Sequence, residues 1–241
     1  MLKACLNGSR TRSEHPGLPV TPDQLAAAAR EAVEAGADAL HLHPRGRDAA
    51  ESLRAADVAA AVSAVRQACP GIPVGVSTGL WITARDVSAR RDLVEGWSAL
   101  RAFERPDFAS VNLSEPGRLE LAATLHTIGI GVEAGVWSNR DAQLLASARP
   151  AGIIRVLVEI IDVPPENAVA EADAILREFG DPGVPVLLHG EQEACWPVLR
   201  HAVALGLDTR IGLEDTLTGP DGGPVTGNAD LTRRARELIN T

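Results

Sequence analysis

The chain has 241 residues, 45% of them hydrophobic, and 32 Asp and Glu against 23 Lys and Arg give it a formal charge of −9. That length fits a single α/β domain, and an acidic balance with no basic cluster argues against nucleic acid or anionic membrane as a partner. With no Tyr, three Phe and four Trp, the core has to be filled by Ala, Val, Leu and Ile.

Read in chain order, short apolar runs alternate with amphipathic ones. Residues 2–6 predict a first strand, followed by a turn-rich stretch over 7–20. Thr21-Pro22 then caps a helix over 24–35, with Pro at its first helical position, and Gly36 closes it. Residues 39–43 predict strand two and 55–69 its helix; 72–76 predict strand three, with helical material over 84–103. Strand four is expected over 108–113 with a helix over 117–127, and the fifth unit over 131–137 and 141–148. The sixth falls at 153–161 and 166–179, the seventh at 184–189 and 191–204. Strand eight, over 209–213, precedes a Gly/Pro-rich loop at 219–227 and a last helix over 228–239. Such alternation demands parallel pairing with helices outside. Eight units in this length predict a (β/α)₈ TIM barrel made of one domain, residues 1–241. No phosphate-binding glycine motif follows the first strand, so a nucleotide-binding open sheet loses support.

Cys5, Cys69 and Cys195 are odd in number and in no ligand spacing, so they are expected as reduced core residues of a cytoplasmic protein. Met1 to Cys5 contains no apolar signal region, and no run approaches the roughly twenty residues of a membrane span.

Barrel geometry sorts the polar residues, because chemistry in this architecture gathers at the C-terminal ends of the strands. His41 and His43 end strand two, and period-two alternation turns both imidazoles to one face. Two imidazoles so placed are a metal-ligand pair that needs a third donor, although a polar surface strand reads the same way. Strand eight runs Arg210-Ile211-Gly212-Leu213-Glu214-Asp215. Charges beside a buried β-run are costly unless they pair or ligate. Strands one, two and eight neighbour one another in a closed barrel, so Glu214 can complete a His₂Glu site. Arg210 would add a fixed positive charge and Asp215 a base. A buried Arg210–Glu214 ion pair across the barrel is the other reading. His189, ending strand seven, is either an extra acid or base or a capped core histidine.

These residues carry a resemblance. Thr11-Arg12-Ser13-Glu14-His15-Pro16, His41-Leu42-His43-Pro44-Arg45, Ser77-Thr78-Gly79, Asn112, Arg210 to Asp215 and Asn228-Ala229-Asp230-Leu231 resemble, in that order, the β-keto acid cleavage enzyme family. The resemblance implies a TIM barrel holding zinc on His41, His43 and Glu214. It implies exchange between a β-keto acid and acetyl-CoA, giving acetoacetate and a new acyl-CoA, and it implies a homo-oligomer. In the roles so implied, Asp215 initiates carbanion formation, Arg210 and Ser77 stabilise oxyanion and carboxylate, and Glu133 is a supporting polar contact. Glu14 would meet the distal group of the substrate, and Thr78 and Asn112 would line the pocket. Two departures bear on the coenzyme: residues 159–165 turn directly into a helix where the family has a longer segment, and His189 stands where a small residue is usual. A metal-dependent aldolase or C–C lyase without CoA therefore stays open, as does a catalytically silent metabolite sensor.

Overall fold

Apolar strands separated by helices that bury one stripe each have one economical solution, a parallel sheet curled on itself beneath a ring of helices. The computed structural model, which describes residues 1–241, adopts it. The units run β1 (Leu2–Cys5), α1 (Pro22–Glu34), β2 (Ala39–Leu42), α2 (Ala55–Ala68), β3 (Val74–Ser77), α3 (Val87–Glu95), β4 (Phe108–Asn112) and α4 (Arg118–Thr127). They continue with β5 (Gly131–Val136), α5 (Asn139–Ser147), β6 (Ile153–Ile160), α6 (Pro165–Phe179), β7 (Val186–Gly190), α7 (Cys195–Ala204), β8 (Thr209–Ile211) and α8 (Asn228–Ile239). The strands pair in parallel in the order β7-β6-β5-β4-β3-β2-β1-β8. A single bridge between Leu187 and Asp208 joins β7 to β8, reinforced by Leu188 N–H donating to Asp208 O at 2.9 Å. The barrel is thus a nearly closed (β/α)₈ structure, and none of its helices is long and apolar enough to cross a membrane. All three cysteines are free and buried.

Local chemistry explains most boundaries. Thr21 Oγ1 accepts from Gln24 N–H while the Gln24 side chain accepts from Thr21 N–H, a reciprocal cap that starts α1. The helical stretch expected over 84–103 is broken up. Ala84 and Arg85 take left-handed φ values of 50° and 67°, and Asp86 caps a new start by accepting from Ala89 N–H. Strand eight is also shorter than its sequence suggests. A Cβ on Gly212 would fall 1.8 Å from the Cys5 carbonyl oxygen, so β8 crosses β1 at backbone contact distance. It then turns, with Asp215 and Thr216 N–H both donating to Gly212 O.

Pairing register separates a floor from a mouth inside the barrel. On the floor Lys3, over the Phe108 ring, donates to Glu133 Oε2 at 2.5 Å, and Arg155 donates to the other oxygen at 2.5 Å. Arg155 also reaches Asp208, which binds the N-terminal ammonium at 2.8 Å. Above this ionic floor the strand ends open into the site.

Candidate metal centre and active site

Residue alternation on β2 sends His41 into the lumen, and the chain leaving the strand carries His43 to the same mouth. Asn7, just beyond β1, clamps the His43 backbone, accepting from its N–H at 2.8 Å and donating to its carbonyl at 2.9 Å. From the far side of β1, the turn after Gly212 delivers Glu214. His41 Nε2 lies 4.0 Å from Glu214 Oε2, and His43 Nε2 lies 3.6 Å from Glu214 Oε1. Ligand atoms of the three residues all fall within 4.8 Å of one another, a spacing that one divalent ion would bridge. Glu214 Oε2 is buried with no hydrogen-bond partner, so it has free acceptor capacity that a cation could satisfy.

The Arg210–Glu214 ion pair and the three-residue cluster coexist, sharing the Glu214 carboxylate. Arg210 Nη2 donates to Glu214 Oε1 at 3.0 Å and leaves Oε2 to the cluster. Burial would raise the Glu214 carboxyl, but Arg210, His43 and His41 outweigh it and hold the group well below the usual range. Burial likewise pushes His41 down, with His43, Lys3 and Arg210 adding to the effect. His43 is different: burial is overcome by Glu214 and Glu51, and its imidazole is raised to about 9.

A cavity of about 480 Å³ opens over this cluster, its wall including His41, His43, Ser77, Asn112, Arg210 and Glu214. Glu14 sits on its rim, half-exposed, with its carboxylate taken up by Thr11 N–H at 2.8 Å, Thr11 Oγ1 and Arg10. Ser77 Oγ accepts from Gly79 N–H, and Asn112 donates to Glu115. Three expected site residues, Thr78, Asp215 and Glu133, stand back from the wall. Thr78 is buried and spends its hydroxyl on Ser110 O at 2.5 Å. Asp215 is fully buried behind Arg210, which binds its Oδ1 through Nε at 3.1 Å and Nη2 at 2.7 Å; its Oδ2 has no partner. Burial, with Glu214 adding, raises the Asp215 carboxyl despite Arg210 and His189.

Glu133 is a correction. It belongs to the floor, both oxygens consumed by Lys3 and Arg155, and it does not border the cavity. It sits near the N-terminal end of β5, one level below the mouth that sequence position alone suggested.

Several wall residues have no motif to announce them. Glu159 is one, its Oε2 3.0 Å from Nε2 of His189, which lies buried behind the wall with its Nδ1 3.5 Å from Asp215 Oδ1. Trp137 donates to the other Glu159 oxygen at 2.7 Å. Glu191 and Gln192, expected as the first turn of a helix, instead cross the mouth. Gln192, with φ 53°, donates its N–H to Asp215 O at 2.7 Å, and Glu191 N–H reaches Ile160 O. Burial, with Asp215, Glu159 and Glu214 nearby, raises the Glu191 carboxyl to about 8 in spite of Arg210. A charge directly after β7 was the only sequence signal for it.

Comparison with known proteins decides the relationship. Residues 1–241 match the beta-keto acid cleavage enzyme family over their whole length. The chain belongs to that family. It is 31% identical over 261 aligned positions to a 3-keto-5-aminohexanoate cleavage enzyme of Acetoanaerobium sticklandii, covering 99% of this chain and 90% of that one. An enzyme of the same name from Fusobacterium nucleatum matches at 31% over 80 residues, a third of this chain. Among solved structures, a ternary complex of ObcA with a C4-CoA adduct and oxalate superposes with a TM-score of 0.73 at 17% identity, covering 93% of this chain and 64% of that one. A 3-dehydroquinate dehydratase from Geobacillus kaustophilus gives 0.64 at 13% identity over 99% of this chain and 89% of that one. These two likenesses concern the barrel. The family membership, by contrast, places the His41–His43–Glu214 cluster in a metal-dependent β-keto acid cleavage enzyme scaffold.

Proposed function

We propose that this protein is a zinc-dependent β-keto acid cleavage enzyme that uses acetyl-CoA as co-substrate. In the reaction, the CH₂–COO⁻ fragment of R–CO–CH₂–COO⁻ passes to the acetyl carbonyl of acetyl-CoA. The CoA thiolate passes to R–CO in exchange, leaving acetoacetate and R–CO–SCoA. The observation that supports this reading best is the shared carboxylate of Glu214, which faces two imidazoles on one side and the Arg210 guanidinium on the other.

His41, His43 and Glu214 would hold the ion, which when bound polarises the keto group of the substrate. The other steps fall to side chains. Arg210 presents positive charge at the mouth, where a substrate carboxylate or a developing oxyanion gains most from a fixed donor. Ser77, across the cavity, adds a hydroxyl to the same end of the substrate. Asp215 is assigned the proton transfer that begins carbanion formation, through its unpartnered Oδ2; its burial makes it the more basic carboxylate of the strand-eight pair. Asn112 lines the wall and Thr78 steadies the adjoining turn. Glu14 would read the distal end of the substrate from the rim, its charge already shared with Arg10.

A lyase reaction without CoA is the second reading. Between the end of β6 and the start of α6 there are only residues 161–164, little chain with which to build a coenzyme wall. Acetoacetate formation and β-keto acid consumption by zinc-loaded protein separate the two, measured over β-keto acids with cationic, neutral and anionic tails, with and without acetyl-CoA. Product only with acetyl-CoA supports the transferase. Cleavage without it supports the lyase. Tight substrate binding with no turnover under either condition would support a metabolite sensor.

A further inference from the structure

The strand-two histidines are not supported equally. His41 Nδ1 is buried without a partner, whereas His43 is held by a structure built for it. Residues 44–52 double back after His43 as a small hairpin. Gly46 N–H donates to Ala50 O and Ser52 N–H to Pro44 O, both at 2.8 Å, and Arg45 pairs antiparallel with Glu51. The Arg45 guanidinium staples this hairpin to the first βα loop by donating to Gly8 O at 2.5 Å and Arg10 O at 3.0 Å.

Folding the loop in this way returns Glu51 to the histidine eight residues before it. Its Oε1 accepts from His43 Nδ1–H at 2.5 Å, and its Oε2 accepts from Trp81 Nε1–H at 3.0 Å. Trp81 completes a triangle, because its ring stacks on the His43 imidazole with centroids 6.4 Å apart and planes 26° apart. Arg45 commits its guanidinium to backbone carbonyls, and Glu51 is ion-paired with His43. A carboxylate that served only to fasten the loop would have no reason to spend both oxygens on one imidazole and the ring that covers it.

We propose that Glu51 and Trp81 are the positioning pair of the metal centre. Glu51 fixes the proton on Nδ1 and turns the Nε2 lone pair of His43 toward Glu214. Trp81 holds the second Glu51 oxygen and covers the ring. A carboxylate behind a metal-binding imidazole raises its basicity and locks its orientation. Trp81 is also part of the cavity wall, so the ring that steadies the ligand is a surface the substrate meets.

This inference rests on the metal reading of His41, His43 and Glu214, and the test separates the two. The full chain is stripped with a chelator, and zinc affinity is then measured at fixed pH by competition with a chromophoric chelator. Melting temperatures are recorded on the metal-free proteins. Glu51→Ala is expected to weaken zinc binding by about 10–100-fold. Glu51→Gln should lose less, because its amide oxygen still accepts from Nδ1–H, and Trp81→Phe should lose least, since stacking survives. The metal-free variants should melt with the wild type. Wild-type zinc affinity in Glu51→Ala would overturn the positioning role, as would a loss matched by a lower melting temperature without metal. A wild-type chain that takes up no zinc would overturn the metal reading and this inference with it.

Discussion

Arg210 donates to Asp215 Oδ1 from two nitrogens, at 3.1 and 2.7 Å, while its Nη2 also reaches Glu214 Oε1 at 3.0 Å. One guanidinium therefore couples the carboxylate of the metal cluster to the carboxylate assigned the proton transfer. Only a planar fork serves both partners from a single position. Arg210→Lys, although it keeps the charge, is expected to lower kcat/KM by about 10²–10³-fold, as loss of an aligned oxyanion donor does. Near-normal kcat/KM in that variant would show that the charge alone suffices.

Asp215→Asn separates proton transfer from metal binding. The amide keeps the size of the side chain, and Glu214 keeps its free oxygen. Zinc stoichiometry should stay at that of the wild type while kcat falls by about 10²–10⁴-fold, the range of a lost general base. Metal analysis beside steady-state kinetics checks both halves. Unchanged kcat would remove Asp215 from the mechanism.

Glu133 predicts acid behaviour without touching the reaction. Burial alone would raise its carboxyl, but Lys3 and Arg155 hold it below the ordinary 4.5. The contribution is therefore present above the unfolded value and is lost as pH falls through the lower folded one. Glu133→Gln should cost about 3–5 kcal/mol near neutral pH, since it strands Lys3 as a buried charge. Its melting temperature should also fall less than that of the wild type as the medium is acidified below that value. Parallel acid profiles would contradict the assignment.

Glu191 predicts the opposite slope. Its carboxyl is raised from 4.5 to about 8, first by burial and then by neighbouring carboxylates. Folding favours the protonated form, so the stabilisation is complete below the ordinary value and fades as pH rises to about 8. Metal-free Glu191→Gln should melt with the wild type in acid and a few degrees above it in alkali, on the scale of about 2–4 °C per kcal/mol for a chain of this size. Thermal melts across that range test it; identical curves would mean that the carboxylate is solvated.

Gly212→Ala tests the contact that aims strand eight. Its Cβ would meet the Cys5 carbonyl at 1.8 Å, backbone against backbone, where neither side can rotate away. The loss should exceed the roughly 1–3 kcal/mol of ordinary overpacking and should weaken zinc binding as well, because the turn carries Glu214. A stable, zinc-binding variant would show that β1 and β8 can separate.

What was legible in the sequence is what depends on neighbours along the chain. Alternating apolar runs, Thr21-Pro22 before a helix and Gly36 after it are local signals, and they sufficed for eight units in the right order. The same holds for His41 and His43, because period-two geometry acts over three residues. Glu214 followed once strands two, one and eight were taken as neighbours, which closure of a parallel barrel requires. What only the tertiary structure decided was depth and return. Glu133 falls to the floor because pairing register sets its height against Lys3 and Arg155. Asp215 lies behind Arg210 because the turn at Gly212 directs it there. Glu51 reaches His43 and Glu191 reaches the cavity through loops whose paths depend on backbone bonds to distant strands, such as Gln192 N–H to Asp215 O. Side-chain periodicity is written into a short stretch of chain; the height of a residue in a barrel and the landing point of a loop are set by contacts that exist only once the barrel has closed.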